Sequence, residues 1–430
     1  MSAFVAPAER LRGTVQPPPD KSISHRAALL GTISVEPVTI RRYLDASDTA
    51  STLAAMRQLG ALVEEHPDYV VVRGTGLREA APVDVPVDLG EAGTLLRILP
   101  GWLAAQEGRA YVLDGGPGLR QRAVDRILAP LRAMGAEIEL GDGGRAPLTV
   151  RGHRLHAAEH HLEAASAQVK GCLLMAGLCA GGTTVIHEPV ATRDHTERLL
   201  RTAGVRVERT GSTVRVTNQD ELVLDPISVP GDPSAAAYAV AAGLLVRGSR
   251  LCVTDTSVNW TRTTFLRIAE RMGAIVLADL EEPSDVVIAA EPVSDLDVTA
   301  GPLLATEIRP EEVAPAIDEL PLLALLGCFA EGTTVLRGAE ALRRRPGDRI
   351  ERVVDGLRGL GATIEATADG FAVTGTDGLR GGRLDAQGDP RLAMLGAVAG
   401  MASREGVEVV GMDEGATRYP RFLEHLLTLG

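Results

Sequence analysis

Aromatic residues make up only 3% of this chain, too few for a platform on which bases or sugars would stack. Cysteine is scarce as well. Cys172, Cys179, Cys252 and Cys328 sit in apolar stretches without metal-ligand spacing and read as buried, reduced thiols. Positive charge is in deficit: a net charge of −13 argues against a nucleic-acid surface or an anionic membrane partner. No apolar run approaches the length of a membrane span, and residues 1–12 lack the apolar core of a signal peptide, so a cytoplasmic protein is expected.

Glycine, by contrast, is abundant, with 47 residues, and much of it is periodic. Six times a small-residue helical stretch with a polar start leads into a β-branched run and then an amphipathic helix ending in glycine. The pairs are Ser22 and Gly60, Thr94 and Gly135, Gln168 and Gly204, Ser234 and Gly273, Glu319 and Gly361, and Pro390 and Gly430. Each pair is about 40 residues apart, the mark of one supersecondary unit repeated along the chain. A glycine after a helix fits a left-handed cap, and alternating strands such as AEIEL and ATIEAT follow. Helix–strand–helix–strand order predicts an α/β fold with sheets and helices in layers.

The array divides most naturally at VPGD (residues 229–232), with a second punctuation at the prolines 17–19. The expected domains are residues 20–229, holding three repeats, and residues 1–19 plus 230–430, holding the other three. Two lobes joined by two close strands would leave a cleft between them.

Several repeats open with groups suited to an anion. In DKSISHR (residues 20–26) a serine can cap the helix, yet Lys21 and Arg26 place cations at its positive end, which helix stability alone disfavours. A bound anion makes sense of them. Comparable starts are Gly93 and Thr94 ahead of Arg97, Ser166-Ala167-Gln168 ahead of Lys170, and Asp389-Pro390-Arg391. Arginines also crowd GPGLRQRA, with Arg120 and Arg122, and LRRRPGDR, with Arg343, Arg344, Arg345 and Arg349. The set suits ligands carrying several phosphates and carboxylates.

With DKSISHR, the segments SAQVKGCLLMAGL, EPVATRDHTERLL, IDELPLLALLGCFAEGTTVLRGAEALR and DPRLAM resemble the enolpyruvyl transferase family over nearly the whole chain. GPGLRQRA lacks the attacking cysteine of the branch that acts on UDP-N-acetylglucosamine, so the resemblance points to the shikimate branch. It implies a two-domain inside-out α/β barrel, each domain built of three βαβαββ repeats, working as a monomer without metal or organic cofactor. It also implies transfer of the enolpyruvyl group of phosphoenolpyruvate to the 5-hydroxyl of shikimate 3-phosphate, with release of phosphate by addition and elimination. By this resemblance Lys21 touches both substrates and Asp318 is a candidate general base, the two catalytic positions. Ser22, Arg26, Ser166, Ala167, Gln168, Asp318 and Arg345 face shikimate 3-phosphate, while Gly93, Arg122, Arg349 and Arg391 face phosphoenolpyruvate.

Departures from the family pattern are specific. The family's proton-transferring Glu is Pro346, its late Lys falls near Thr417 or Arg418, the Asn before Ala-Gly-Thr is Glu91, and the His of Asp-His-Arg is Pro390. Pro390 after Asp389 has a plain explanation, since proline suits the first helical position after a capping residue. Pro346 has none, and Glu91 is the one new carboxylate available. Two other readings stay open: a divergent relative acting on another phosphorylated cyclitol or sugar, and a ligand-binding descendant without catalysis. His156, His160 and His161 offer an i, i+4 pair in HAAEHH but no third ligand, so no metal is expected.

Overall fold

The computed structural model describes residues 1–343 and 348–430. A helix forms at each polar start: Lys21–Ile33 (α1), Gly93–Leu103 (α2), Ala167–Cys179 (α3), Pro233–Leu245 (α4), Leu320–Gly327 (α5) and Pro390–Ala402 (α6). These are core helices. Every residue of α5 is buried, and in α4 only Ser234 is not, as expected for helices that are apolar all round. Their glycines permit close approach. A Cβ on Gly101 of α2 would lie 2.0 Å from the Cys172 carbonyl oxygen of α3, and one on Gly177 would lie 2.7 Å from Val216 of a covering strand.

The second helix of each repeat spans Ser47–Gln58, Leu128–Ala133, His195–Thr202, Thr264–Arg271, Arg349–Gly359 or Phe422–Leu427. Gly60, Gly135, Gly204, Gly273 and Gly361 follow five of them with φ between 74° and 103°, the left-handed cap expected from the sequence. The helix expected over VDRILAPLRAMG is shorter than its pattern, with a 3-10 turn at Asp125–Ile127 leading into it. Pro130 explains this: lacking an N–H, it fits only the first turn of a helix.

The sheets repeat too. In the first repeat Val38–Arg41 pairs in parallel with Ile227–Ser228 and antiparallel with Tyr69–Arg73, which pairs antiparallel with Leu62–Glu65. The same order, one parallel pair and then two antiparallel pairs, recurs around Ala110–Asp114, Thr183–His187, Arg250–Ser257 and Thr333–Leu336. Around Val407–Val410 the sheet has three strands, with Gly382–Asp385 parallel and Ser2–Val5 antiparallel. Burial alternates along strands such as Arg145–Arg151, so one sheet face covers the helices and the other faces water. Helices inside and sheets outside make the inside-out α/β arrangement.

Two compact units result. One comprises Met1–Pro18, Gly231–Glu282 and Pro292–Gly430; the other comprises Pro19–Pro230 and Pro283–Glu291. In the second, Ile227–Ser228 returns from the third repeat to the first and closes the set of three. In the first, Arg12–Val15 completes the sheet of Arg250–Ser257. Cys172 and Cys328 are buried, whereas Cys179 and Cys252 are only partly so; all four are free. Burial pushes the Cys179 and Cys328 thiols up to about 12, so they are protonated and inert at neutral pH. Among the described residues no helix is long and apolar enough to cross a membrane.

Candidate active site

In the unit built on Pro19–Pro230, the starts of α1, α2 and α3 are tied together by side chains. Asp20 caps α1 by accepting the Ile23 N–H at 2.9 Å, and Ser166 caps α3 by accepting that of Val169 at 3.3 Å. Arg26, nearly fully buried, donates to Thr196 Oγ1 at 2.8 Å, to the Ser22 carbonyl at 3.0 Å and to the Ala167 carbonyl at 3.5 Å, joining α1 to α3. Gln168 donates to Thr94 Oγ1 at 3.2 Å and accepts from Arg97 at 3.1 Å, joining α3 to α2. The Arg122 side chain folds over Gly93, where a Cβ would lie 2.1 Å from Nη1. Lys21 forms an ion pair with Asp48. Lys21, Ser22, Arg26, Gly93, Arg122, Ser166, Ala167 and Gln168 therefore share one set of helix starts, whose exposed N–H groups add positive potential.

Charge at these starts is tuned by burial. Burial pushes the Arg26 guanidinium down to about 10, with Glu197 and Asp20 opposing the shift and Arg193 adding to it, so Arg26 stays charged at neutral pH. His25 is pushed down to about 3 by burial and then by Lys21, and is neutral; its Nδ1 lies 2.6 Å from Thr52 Oγ1. Beneath the starts, Lys170 is buried between Glu188 at 2.9 Å and Glu197 at 2.7 Å. Arg209 lies 3.5 Å from Glu197, and Arg198 donates to Asp194 at 2.9 Å. Sequence reasoning missed Asp48, Arg193, Thr196 and this network. Arg193 was findable, being a cation just before the acidic start of a helix in EPVATRDHTERLL.

In the other unit the starts of α4, α5 and α6 follow the same plan. Asp232 and Asp389 cap α4 and α6, accepting the N–H of Ser234 at 2.8 Å and of Arg391 at 2.9 Å, with Pro233 and Pro390 at the first helical positions. Arg391 pairs with Asp318, and Arg349 lies 3.2 Å from Asp389. Burial works against the Arg391 charge, but Asp318, then Tyr238, Asp389 and Glu319, raise it above its ordinary value. Arg262 donates to Asp232 and to Ser234 Oγ, each at 3.0 Å, and Ser234 donates to Glu319. The structure thus groups Asp318, Arg349 and Arg391. Arg345, with Arg344, Pro346 and Gly347, lies outside the described residues.

Four of the six starts are capped by a side chain, from Asp20, Ser166, Asp232 and Asp389, whereas α2 and α5 begin without a side-chain cap. The chain matches the family model described as EPSP synthase (3-phosphoshikimate 1-carboxyvinyltransferase) over residues 5–426. The chain belongs to the EPSP synthase family. Among curated relatives, the 3-phosphoshikimate 1-carboxyvinyltransferase of Roseiflexus castenholzii is 43% identical over 97% of both chains. That of Shouchella clausii is 39% identical over 97% of this chain and 96% of its own. A solved EPSP synthase from Acinetobacter baumannii superposes with a TM-score of 0.90 at 32% identity, covering 100% of this chain and 98% of that one.

Within this EPSP synthase family chain, two departures have a structural account. Pro390 is the helix-start proline that its sequence context suggests. Glu91 turns onto the arginine-bearing loop: its Oε1 accepts the Gly118 N–H at 3.1 Å, and it packs so close to Gly116 that a Cβ there would lie 2.2 Å from Oε1. Its visible work is to brace the turn that carries Arg120 and Arg122. Arg120 itself is committed to Asp114 at 2.6 Å.

Proposed function

We propose that this protein transfers the enolpyruvyl group of phosphoenolpyruvate to the 5-hydroxyl of shikimate 3-phosphate and releases phosphate. The observation that carries the reading is the nearly full-length relationship to 3-phosphoshikimate 1-carboxyvinyltransferases at about 40% identity, with helix starts in this chain that suit anions.

In the first step a proton adds to the methylene carbon of phosphoenolpyruvate while the 5-hydroxyl oxygen bonds to the neighbouring carbon. That carbon then holds both the phosphate and the new ether, and is tetrahedral. In the second step the carbon–phosphate-oxygen bond breaks and the new methyl group loses a proton, which restores the double bond. Such chemistry needs counter-charge for the anions and proton transfer at two points.

The roles are those that the family resemblance implies. Arg26 and Ser22 hold the shikimate carboxylate, Ser166 and Ala167 its phosphate, and Gln168 its ring. Arg122 and the helix start at Gly93 receive phosphoenolpyruvate. Asp318 accepts the 5-hydroxyl proton, Arg349 and Arg391 bind phosphoenolpyruvate, and Arg345 neutralises the acceptor phosphate. Arg391 is paired with Asp318 here, so an incoming carboxylate or phosphate that draws Arg391 away frees Asp318 to act as a base. Lys21 is likewise released from Asp48. Pro346 carries no exchangeable proton, and the proton for the methylene carbon is assigned to Lys21. We assign the reaction to the cytoplasm and to a monomer, in keeping with the four free thiols.

The test is continuous phosphate release from purified protein. Turnover that requires both phosphoenolpyruvate and shikimate 3-phosphate supports the assignment. A folded protein that releases nothing with this pair but binds another phosphorylated cyclitol or sugar tightly would mean that compound is the acceptor.

A further inference from the structure

The run HAAEHH reads as an i, i+4 histidine pair, but these residues are not helical. His156 forms an isolated parallel bridge with Gly181, and Glu159–His161 is a strand beside Thr183–His187. The register sets His161 directly opposite His187, and Glu159, two residues before His161, shares its face. The rings of His161 and His187 stack with centroids 4.3 Å apart and planes 7° apart. His187 Nε2 lies 2.7 Å from Glu159 Oε1, and His161 Nε2 lies 3.9 Å from the same oxygen. One donor atom from each of the three residues lies within 4.8 Å of the others. The cluster therefore leaves out the His156 and His160 pair and joins Glu159 and His161 to His187 of a neighbouring strand, where no local spacing could reveal it.

A further contact orients the group. His187 Nδ1 lies 2.9 Å from Thr213 Oγ1, on the antiparallel strand where Thr213 stands opposite His187. That bond fixes the ring and turns Nε2 toward Glu159, as an outer partner does for a metal-binding histidine.

We propose that Glu159, His161 and His187 form a surface site for a late first-row divalent cation of the zinc type, with its remaining positions open to water. Two imidazoles and one carboxylate are a recurring zinc ligand set, and imidazole selects against magnesium and calcium. Tetrahedral coordination needs donors about 3.3 Å apart at zinc–ligand distances near 2 Å. His161, with a side chain 77% exposed, can rotate to close that gap. Arg215 is the opposing charge, and it lowers the affinity of the site without occupying a ligand position.

The experiment is a zinc titration of metal-stripped protein against a chromophoric chelator at pH 7.5, with magnesium in excess. One zinc per chain is expected, with His161→Ala and His187→Ala each weakening binding at least tenfold and Thr213→Val about tenfold. His153→Ala, which removes an imidazole 3.1 Å from Glu137 on another sheet, serves as the control and leaves affinity unchanged. Wild-type protein that binds no stoichiometric zinc, or a His161→Ala variant that binds as wild type does, overturns the proposal. His161 is exposed enough that its replacement leaves the fold intact, and equal melting temperatures in chelator verify this.

Discussion

Replacing Lys170 with methionine removes a cation set between two buried carboxylates. The ammonium has no exposed surface, lies within 2.9 Å of both Glu188 and Glu197, and also donates to the Thr192 carbonyl at 3.2 Å. Methionine nearly matches its volume, so packing changes little and the electrostatic cost dominates. Breaking a buried pair from one side costs about 3–5 kcal/mol. Two stranded carboxylates push toward the upper end, while Arg209 at 3.5 Å from Glu197 and the Thr192 hydroxyl on Glu188 hold it down. A loss of about 3–5 kcal/mol is therefore expected, a factor of roughly a hundred to a few thousand in the unfolding constant.

The pH dependence checks the cause. Burial lowers the Lys170 pKa, but Glu197 and then Glu188 outweigh it, and the net shift is upward from 10.5. A raised folded value means the contribution is complete below about 10.5 and is lost only as pH rises through the folded value. At pH 7.5 all of it is present. As pH rises above about 10.5 and through the folded value, wild type loses this contribution and the gap to the variant narrows. Urea unfolding followed by circular dichroism measures both effects, with the transition of the unit built on Pro19–Pro230 moving to lower urea. The double variant Lys170→Met with Glu188→Gln should recover part of the loss. A loss under about 1 kcal/mol, or no recovery in the double variant, would refute the reasoning.

Three further outcomes follow from the helix starts. His25 titrates near 3 in the folded chain and near 6.5 in the unfolded one, so stability falls as pH drops below 6.5, by about 1.4 kcal/mol per unit; His25→Asn should flatten the stability–pH slope between pH 6.5 and 4.5. Arg26→Lys keeps the charge but loses the fork to Thr196 and Ser22, so KM for shikimate 3-phosphate should rise at least tenfold with about 1–2 kcal/mol lost in unfolding, and an unchanged KM would end its binding role. Gly93→Ala displaces Arg122 rather than backbone, so kcat/KM for phosphoenolpyruvate should fall about 10- to 100-fold while thermal stability holds; a melting temperature that falls with it would place the defect in the fold instead.

Repeats are written locally, which is why they could be read. The Asp or Ser caps of four helix starts and the glycines after the second helices act within a few residues, and Asp232-Pro233, Asp389-Pro390 and Gly60 adopt the conformations their types prefer. Pro130 shortened a helix by the same local chemistry, although the apolar period masked it. Contacts between repeats were not legible. Nothing near Lys21 points to Asp48, nothing near Lys170 distinguishes a buried cation from a solvated one, and His161 gives no hint of His187. Glu91 is the instructive case: the sequence shows a carboxylate at a helix start and invites a proton-transfer role, whereas the structure spends it on the Gly118 amide.

The most direct measurement is carbon NMR of the purified protein with shikimate 3-phosphate and phosphoenolpyruvate labelled at carbon 2. The account predicts that the labelled enol-phosphate signal is replaced by an enol-ether signal coupled to the shikimate ring, in step with free phosphate. Label that stays in phosphoenolpyruvate, or that passes to pyruvate with the acceptor unchanged, would contradict it.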